Sequence, residues 1–117
     1  MSKIVSLDTM KTFEALAAKH LRERKVRWNP MLVRGEGVHF MSFFNEGRVK
    51  GAGAEVLREV CALADRLGVT LIARTLRPYM TEYFPRFGFD LVRTQPFGED
   101  KSVWTFRRKP IACEACV

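Results

Sequence analysis

The sequence predicts an α/β (α+β) fold, in which a mixed central sheet of about six strands carries flanking helices. A strand-like apolar run at 38–44 is followed by a glycine turn, a long amphipathic helix and a second apolar run at 69–74. Such short links between strand, helix and strand imply a right-handed parallel crossover. Two further strand-like runs near the end of the chain flank a turn-rich loop, as in an antiparallel hairpin.

The N-terminal part of the chain is predicted to supply a strand, a helix and a strand pair. Lys3 to Leu7 is a short apolar run suited to a first strand. A helix is predicted from Met10 to about Lys25, because apolar residues recur there at helical spacing. Two strands, at 31–34 and 38–44, are predicted around the turn Gly35-Glu36-Gly37.

The C-terminal part is marked by glycines and prolines that delimit its elements. The second helix is predicted to run from Gly51 or Gly53 to Leu67, and Gly68 is a suitable residue to end it. Pro85 predicts that the third helix is short or distorted. The remaining predicted elements are the strand Val69–Arg74, the helix Tyr79–Phe87 and the hairpin strands Phe89–Arg93 and Ser102–Arg108.

Length and composition limit the class of protein. The 117 residues suit one domain, predicted at 1–110, with 111–117 as a flexible tail. A hydrophobic fraction of 47% with 28% charged residues is typical of a globular protein rather than a disordered one. No apolar run approaches the ~20 residues that cross a bilayer, and the N-terminus lacks a signal-peptide core. We therefore expect a cytoplasmic protein without a membrane partner.

Charge and cysteine content bear on partners and metals. The net charge of +7 favours anionic partners, and it permits nucleic acid, although no nucleic-acid-binding motif favours that partner. Three cysteines, an odd number, argue against a disulfide framework. The terminal pair Cys113 and Cys116 lacks the second pair that zinc would need, so no metal site is predicted.

The stretch Arg48-Val49-Lys50-Gly51-Ala52-Gly53-Ala54 joins the predicted central strand to the long helix. Backbone N–H groups at a helix start lack internal partners, and the helix dipole adds partial positive charge there. Glycines let an anion approach these groups closely. The stretch therefore predicts a cradle for a pyrophosphate, the alternative being a helix entry that only needs flexible residues.

This stretch resembles the acyl-CoA pyrophosphate loop, Gln/Arg-x-x-Gly-x-Gly/Ala, of the GCN5-related N-acetyltransferase (GNAT) superfamily. A second piece, Tyr83-Phe84-Pro85-Arg86-Phe87-Gly88-Phe89, is similar to the Tyr-Phe-x-x-x-Gly-Phe of the histone-acetyltransferase branch. The elements between Val38 and Arg108 also follow the family's order. The chain is thus identified as a small, trimmed member with a shortened N-terminal part and a GNAT-like sheet.

The resemblance implies acetyl-CoA as co-substrate and a pantetheine slot between the strand ending at Phe44 and the strand Val69–Arg74. The candidate general acid is Tyr83, which is adjacent to the position where the family carries its acid, and the candidate base is Glu36 or His39. Each of these residues also has a purely structural interpretation: Tyr83 as a packing aromatic, Glu36 as a solvated turn residue and His39 as a sheet residue. The implied cofactor-binding residues are Phe43, Phe44, Asn45, Arg48, Val49, Lys50, Gly51, Ala52, Gly53, Ala54 and Arg77.

The chain departs from the family pattern in two places. Phe84 occupies the position where many members carry the tyrosine that acts as general acid, and the asparagine often found near Arg77 is missing. The first hypothesis is an acetyl-CoA-dependent N-acetyltransferase acting on an unidentified primary amine of a small molecule or protein. The alternative is a non-catalytic interaction or structural protein, since trimmed proteins of this kind occur in bacteriophages. A third hypothesis is a basic nucleic-acid-binding domain.

Overall fold

The computed structural model describes residues 7–33, 37–40, 43–78 and 80–111. These residues form three α-helices and seven strands, and a 3₁₀ turn, Phe84–Phe87, continues the third helix. In chain order the elements are α1 (Leu7–Arg24), β1 (Val26–Arg27), β2 (Pro30–Val33), β3 (Gly37–Phe40), β4 (Phe44–Asn45), α2 (Ala52–Leu67), β5 (Leu71–Thr75), α3 (Met80–Tyr83), β6 (Asp90–Phe97) and β7 (Lys101–Arg108).

Five strands form one mixed sheet in the order β2-β3-β5-β7-β6, and β1 and β4 form a separate pair. The central strands β3 and β5 are parallel, in the register Val38 to Leu71 and Phe40 to Ala73, and the other pairs are antiparallel. The predicted parallel crossover through α2 and the predicted C-terminal hairpin are both confirmed. The predicted mixed sheet with flanking helices is confirmed as well.

The N-terminal part differs from the prediction in three places. Leu7 begins α1, so the predicted strand from Lys3 cannot include it, and residues 1–6 lie outside the described part. α1 begins at Leu7 rather than Met10, and it ends at Arg24, close to the predicted end, because Lys25 adopts a left-handed conformation with φ of 56°. The predicted strand at 38–44 is divided into β3 and β4, since Phe44 pairs with Arg27 of β1.

The C-terminal part follows the prediction more closely. Gly68 ends α2 in a left-handed conformation, and its N–H donates to helix carbonyls. The third helix is short, as Pro85 predicted, because the chain tightens into the 3₁₀ turn around that proline. The hairpin strands are longer than predicted, since β6 continues through Pro96 to Phe97 as an edge strand.

The hydrophobic core lies on one face of the five-stranded sheet. Phe40 points into it and makes ring contacts with Trp28, Phe43, Phe84 and Phe89. Other members of the same cluster come from both long helices and from two strands of the sheet: Phe13 and Ala17 of α1, Val56, Leu57 and Val60 of α2, Leu71 and Ala73 of β5, and Phe106 of β7. Because side chains alternate along a strand, the residues between these point to the opposite face.

Candidate active site

The loop between β4 and α2 is fixed by hydrogen bonds within itself. The Asn45 Nδ2 donates to the Val49 carbonyl at 2.9 Å, and the Arg48 N–H donates to the Asn45 carbonyl at 3.2 Å. The Ala52 N–H donates to the Val49 carbonyl at 3.1 Å. Arg48 itself has a φ of 55°. The loop therefore turns sharply into α2 with a defined backbone, and its Ala52 N–H is already engaged.

The start of α2 leaves its backbone accessible. Gly51 is the N-cap with φ of 86°, a conformation that favours glycine, and the helix start has no side-chain cap. A Cβ placed on Gly51 would meet nothing within 4 Å. One placed on Gly53 would lie 3.5 Å from the Tyr83 hydroxyl and 3.6 Å from the Phe43 ring. An anion can therefore approach the first-turn N–H groups, which have no acceptor in the helix.

Next to this loop, β4 pairs with β1 and not with β5. The described pairing of β3 with β5 covers Val38 to Phe40 on one strand and Leu71 to Ala73 on the other, and Phe44 and Asn45 pair with β1 instead. Arg77, which follows β5, lies with its guanidinium carbon 4.8 Å from the centre of the Phe44 ring. The opening between the strands is therefore bordered by Phe44 on one side and the segment after β5 on the other.

A pocket of about 520 Å³ occupies this opening and reaches the glycines at the start of α2. It lies within the size range of sites that hold small molecules and cofactors. Eight of the eleven predicted cofactor-binding residues line it: Phe43, Phe44, Asn45, Arg48, Gly51, Gly53, Ala54 and Arg77. The other three do not line it: Val49 and Lys50 are exposed on the loop, and Ala52 is buried in the core.

Tyr83 lines the same pocket, and its hydroxyl faces Gly53. Burial raises the pKa of Tyr83, and the charges of Arg58 and Arg86 oppose this change. The hydroxyl therefore stays protonated at neutral pH and can donate a hydrogen bond into the pocket. The adjacent Phe84 is buried in the core against Phe89 and Phe106.

One of the two predicted bases, His39, is not brought together with Tyr83. His39 lies on the opposite face of the sheet, since it alternates with the core residues Val38 and Phe40. There it borders a basic hollow of about 460 Å³. Glu36 lies outside the described residues. The roles assigned to Tyr83, Glu36 and His39 stay predictions.

Two carboxylates near the loop are held in ion pairs. Glu46 accepts from Arg27 at 2.6 Å, and Glu55 pairs with Arg24.

A pocket residue that sequence reasoning missed is Met80, which lies one helical turn before Tyr83. That spacing places both side chains on one side of α3, so Met80 could have been predicted as a pocket residue once Tyr83 was.

The described residues contain no group of three or more His, Cys, Asp or Glu side chains that could hold a metal ion. The helices of the described ranges are also too short or too polar to cross a membrane. Cys113 and Cys116 lie outside the described residues.

The arrangement of strands, loop and helices is the GNAT fold of acetyltransferases. One similar structure is the ribosomal-protein-S18-alanine N-acetyltransferase of Escherichia coli, with a TM-score of 0.60, 11% identity, and coverage of 96% of this chain and 95% of that one. A Desulfovibrio desulfuricans protein assigned to the GNAT family as an acetyltransferase gives a TM-score of 0.57, 15% identity, and coverage of 89% and 82%.

A third similar structure is Naa20 of Chaetomium thermophilum in complex with a bisubstrate analogue. It has a TM-score of 0.53 and 11% identity, and the match covers 73% of this chain and 58% of that one. No protein-family model and no curated protein matches the sequence. The resemblance predicted from the sequence is thus confirmed at the level of the fold.

Proposed function

We propose that the protein is an acetyl-CoA-dependent N-acetyltransferase that acts on a primary amine. The observation that carries this proposal is the pocket that joins the accessible start of α2 to the opening between the central strands. In the proposed complex the coenzyme pyrophosphate accepts hydrogen bonds from the first-turn N–H groups of Gly53 and Ala54. Arg48 adds a full positive charge beside it, and the pantetheine arm follows the opening past Phe44.

The proposed chemistry needs few protein groups. The amine nitrogen attacks the thioester carbonyl carbon, so that a C–N bond forms and the C–S bond breaks. The amine loses a proton to water or a base, and the departing thiolate takes up a proton. Backbone N–H groups near Phe43 to Asn45 would stabilise the oxyanion. Tyr83 is the proposed donor to the thiolate.

The similar structures agree with this proposal. One is an N-acetyltransferase for an alanine of a ribosomal protein, and another was solved with a bisubstrate analogue. The first supports an acetyltransferase with an amine acceptor. At 11% identity both show a shared fold and do not indicate the acceptor of this chain.

Calorimetric titration with CoA tests the proposed coenzyme site. We expect Gly53→Val to abolish measurable binding, because the added methyl groups would fill the space next to the Tyr83 hydroxyl. Ala62→Val, on an exposed position of the same helix, is the matched control and should keep the wild-type affinity. Equal affinity in both variants would show that the pyrophosphate does not bind at the start of α2.

A test of catalysis uses mass spectrometry after incubation with acetyl-CoA and a pool of amines and basic peptides. Acetylated product is expected, and Tyr83→Phe should slow its formation on the order of 10²-fold if Tyr83 donates a proton. Because the hydroxyl faces Gly53, it could instead contact a bound phosphate. In that case Tyr83→Phe would weaken CoA binding and leave kcat unchanged.

A second candidate function is binding without catalysis. Two observations favour it: Phe84 is buried in the core where many family members carry a tyrosine, and His39 lies on the other face of the sheet. CoA binding without any acetylated product would establish this function in place of the first.

A further inference from the structure

A second pocket, of about 350 Å³, adjoins the loop pocket. The two pockets share a wall formed by Phe43, Phe44, Arg77 and Met80. A reaction between two bound substrates needs such adjacent compartments, because the reacting atoms must come within about 3.5 Å of each other. The volume lies at the lower end of the range for small-molecule sites, so it suits a small acceptor better than a folded protein surface.

The second pocket is mainly apolar. Beyond the shared wall, its apolar lining comes from Leu76, Phe84, Phe97 and Val103. Two of these side chains are unusually accessible, since Leu76 is 45% exposed and Phe97 is 56% exposed. Large apolar side chains that converge on one concave site, while still open to solvent, are suited to contact an apolar group of a ligand.

The charges at this pocket are all positive. The described residues that line it include Arg74 and Arg77 and no carboxylate. Arg74 also borders the basic hollow on the opposite face of the sheet, so the positive charge at the shared wall is that of Arg77. This guanidinium repels a polycation, and it pairs well with a carboxylate. It also lowers the pKa of an ammonium group bound nearby, which favours the neutral amine that can attack a thioester.

From these features, and resting on the proposed function above, we propose that the acceptor is a small amine that carries a carboxylate and a large apolar side chain, as a free apolar α-amino acid does. The side chain contacts Phe97 and Leu76, and the carboxylate pairs with Arg77 at the shared wall. The amine then faces the loop pocket.

Four acceptors test the two parts of this proposal at a fixed concentration of acetyl-CoA. They are L-phenylalanine, phenethylamine, which lacks the carboxylate, glycine, which lacks the side chain, and the polycation spermidine. We expect kcat/KM for L-phenylalanine to exceed that for each of the others by about tenfold or more. A preference for spermidine, or values of kcat/KM for phenethylamine and glycine that equal the value for L-phenylalanine, would overturn the proposal.

Three variants locate the recognition. Arg77→Met should remove the preference for L-phenylalanine over phenethylamine, and Phe97→Ser should remove the preference over glycine. Leu91→Ser is the matched control, because Leu91 is 51% exposed on the same strand and does not line the pocket. It should change neither preference. Loss of both preferences in Leu91→Ser would show that the hairpin acts through its fold rather than through Phe97.

Separate calorimetric titrations with CoA and with L-phenylalanine distinguish failure of this proposal from failure of the proposed function. If CoA binds and apolar amino acids are neither bound nor acetylated, the acceptor proposal is wrong and the coenzyme site stands. If L-phenylalanine binds in a manner sensitive to Phe97→Ser while CoA does not bind, the acetyltransferase proposal is wrong instead. If neither binds, both are overturned.

Discussion

Arg107 and Arg108 are consecutive residues of β7 that point to opposite faces of the sheet, and their surroundings differ. Arg108 is buried, makes a two-pronged ion pair with Asp65 of α2 at 2.6 and 3.0 Å, and donates to the Phe87 carbonyl at 2.7 Å. Arg107 is exposed and borders the basic hollow that contains His39. One face thus contacts the helices, and the other is polar and positively charged.

This division explains which predicted site residues meet. The loop pocket forms where the helix-bearing face ends, so that the start of α2, the helix α3 and β4 all reach it. His39 is near these residues in sequence but is separated from them by the thickness of the sheet. Within the described ranges, the helix residues in the core cluster all pack on the face of Phe40.

The largest effect is expected from Arg108→Met. The variant leaves the Asp65 carboxylate without its main partner and also removes the bond to the Phe87 carbonyl. We expect it to lower the free energy of unfolding by about 3 kcal/mol, because breaking a buried pair costs about 3–5 kcal/mol and the Asp65 side chain is 26% exposed. Urea unfolding measures this change.

Arg107→Met is the control for that measurement. It makes the same chemical change one residue earlier, at an exposed position, and should alter the free energy of unfolding by no more than about 0.5 kcal/mol. A similar loss in both variants would mean that the two faces contribute equally to stability and that the comparison is wrong.

A second, smaller difference is expected between Leu71→Ala and Ile72→Ala, which are adjacent in β5. Leu71 is fully buried in the core cluster, and Ile72 is buried at 7% exposure on the other face, outside that cluster. Truncation of Leu71 leaves a cavity between sheet and helices, whereas water and long side chains can fill the space at Ile72. We expect Leu71→Ala to be more destabilising by about 1–2 kcal/mol. Equal losses would indicate a second packed layer over Ile72.

Much of this organisation could be predicted from the sequence, because it rests on local signals. The period of apolar residues in α2, the glycines at 51, 53 and 68, and the proline at 85 each act within a few residues. The face of the sheet on which His39 lies could also have been predicted. Val38 and Phe40 flank His39 in β3 and belong to the core, so strand alternation places His39 on the opposite face from the loop.

Other features depend on contacts between distant segments and could not be predicted. β1 is only two residues long and pairs with β4, which is why the apolar run at 38–44 does not form one strand. The proximity of the Tyr83 hydroxyl to Gly53 likewise depends on how α3 packs against the start of α2. No periodicity encodes such a contact.

The two histidines of the chain lie on different sides of the sheet: His20 on the side of the helices and His39 on the polar side. His20 of α1 is 1% exposed. Its Nδ1 accepts a hydrogen bond from the Trp28 Nε1 at 3.0 Å, and its Nε2 lies 2.7 Å from a Glu59 carboxylate oxygen. The ring is therefore neutral with its proton on Nε2, since a proton on Nδ1 would point at the Trp28 donor.

Burial lowers the pKa of His20 below 6.5, although Glu59 opposes the change. Below pH 6.5 the unfolded chain binds a proton that the folded protein resists, so this contribution to stability is complete above pH 6.5 and is lost as the pH falls toward the lower pKa of the folded state. The slope from one proton is at most about 1.4 kcal/mol per pH unit. Urea unfolding between pH 7.5 and 5 should show this slope in the wild type and in His39→Gln, and a flatter dependence in His20→Gln. If His39→Gln flattens the curve and His20→Gln does not, the proton that destabilises the fold binds on the polar face, and the His20 assignment is wrong.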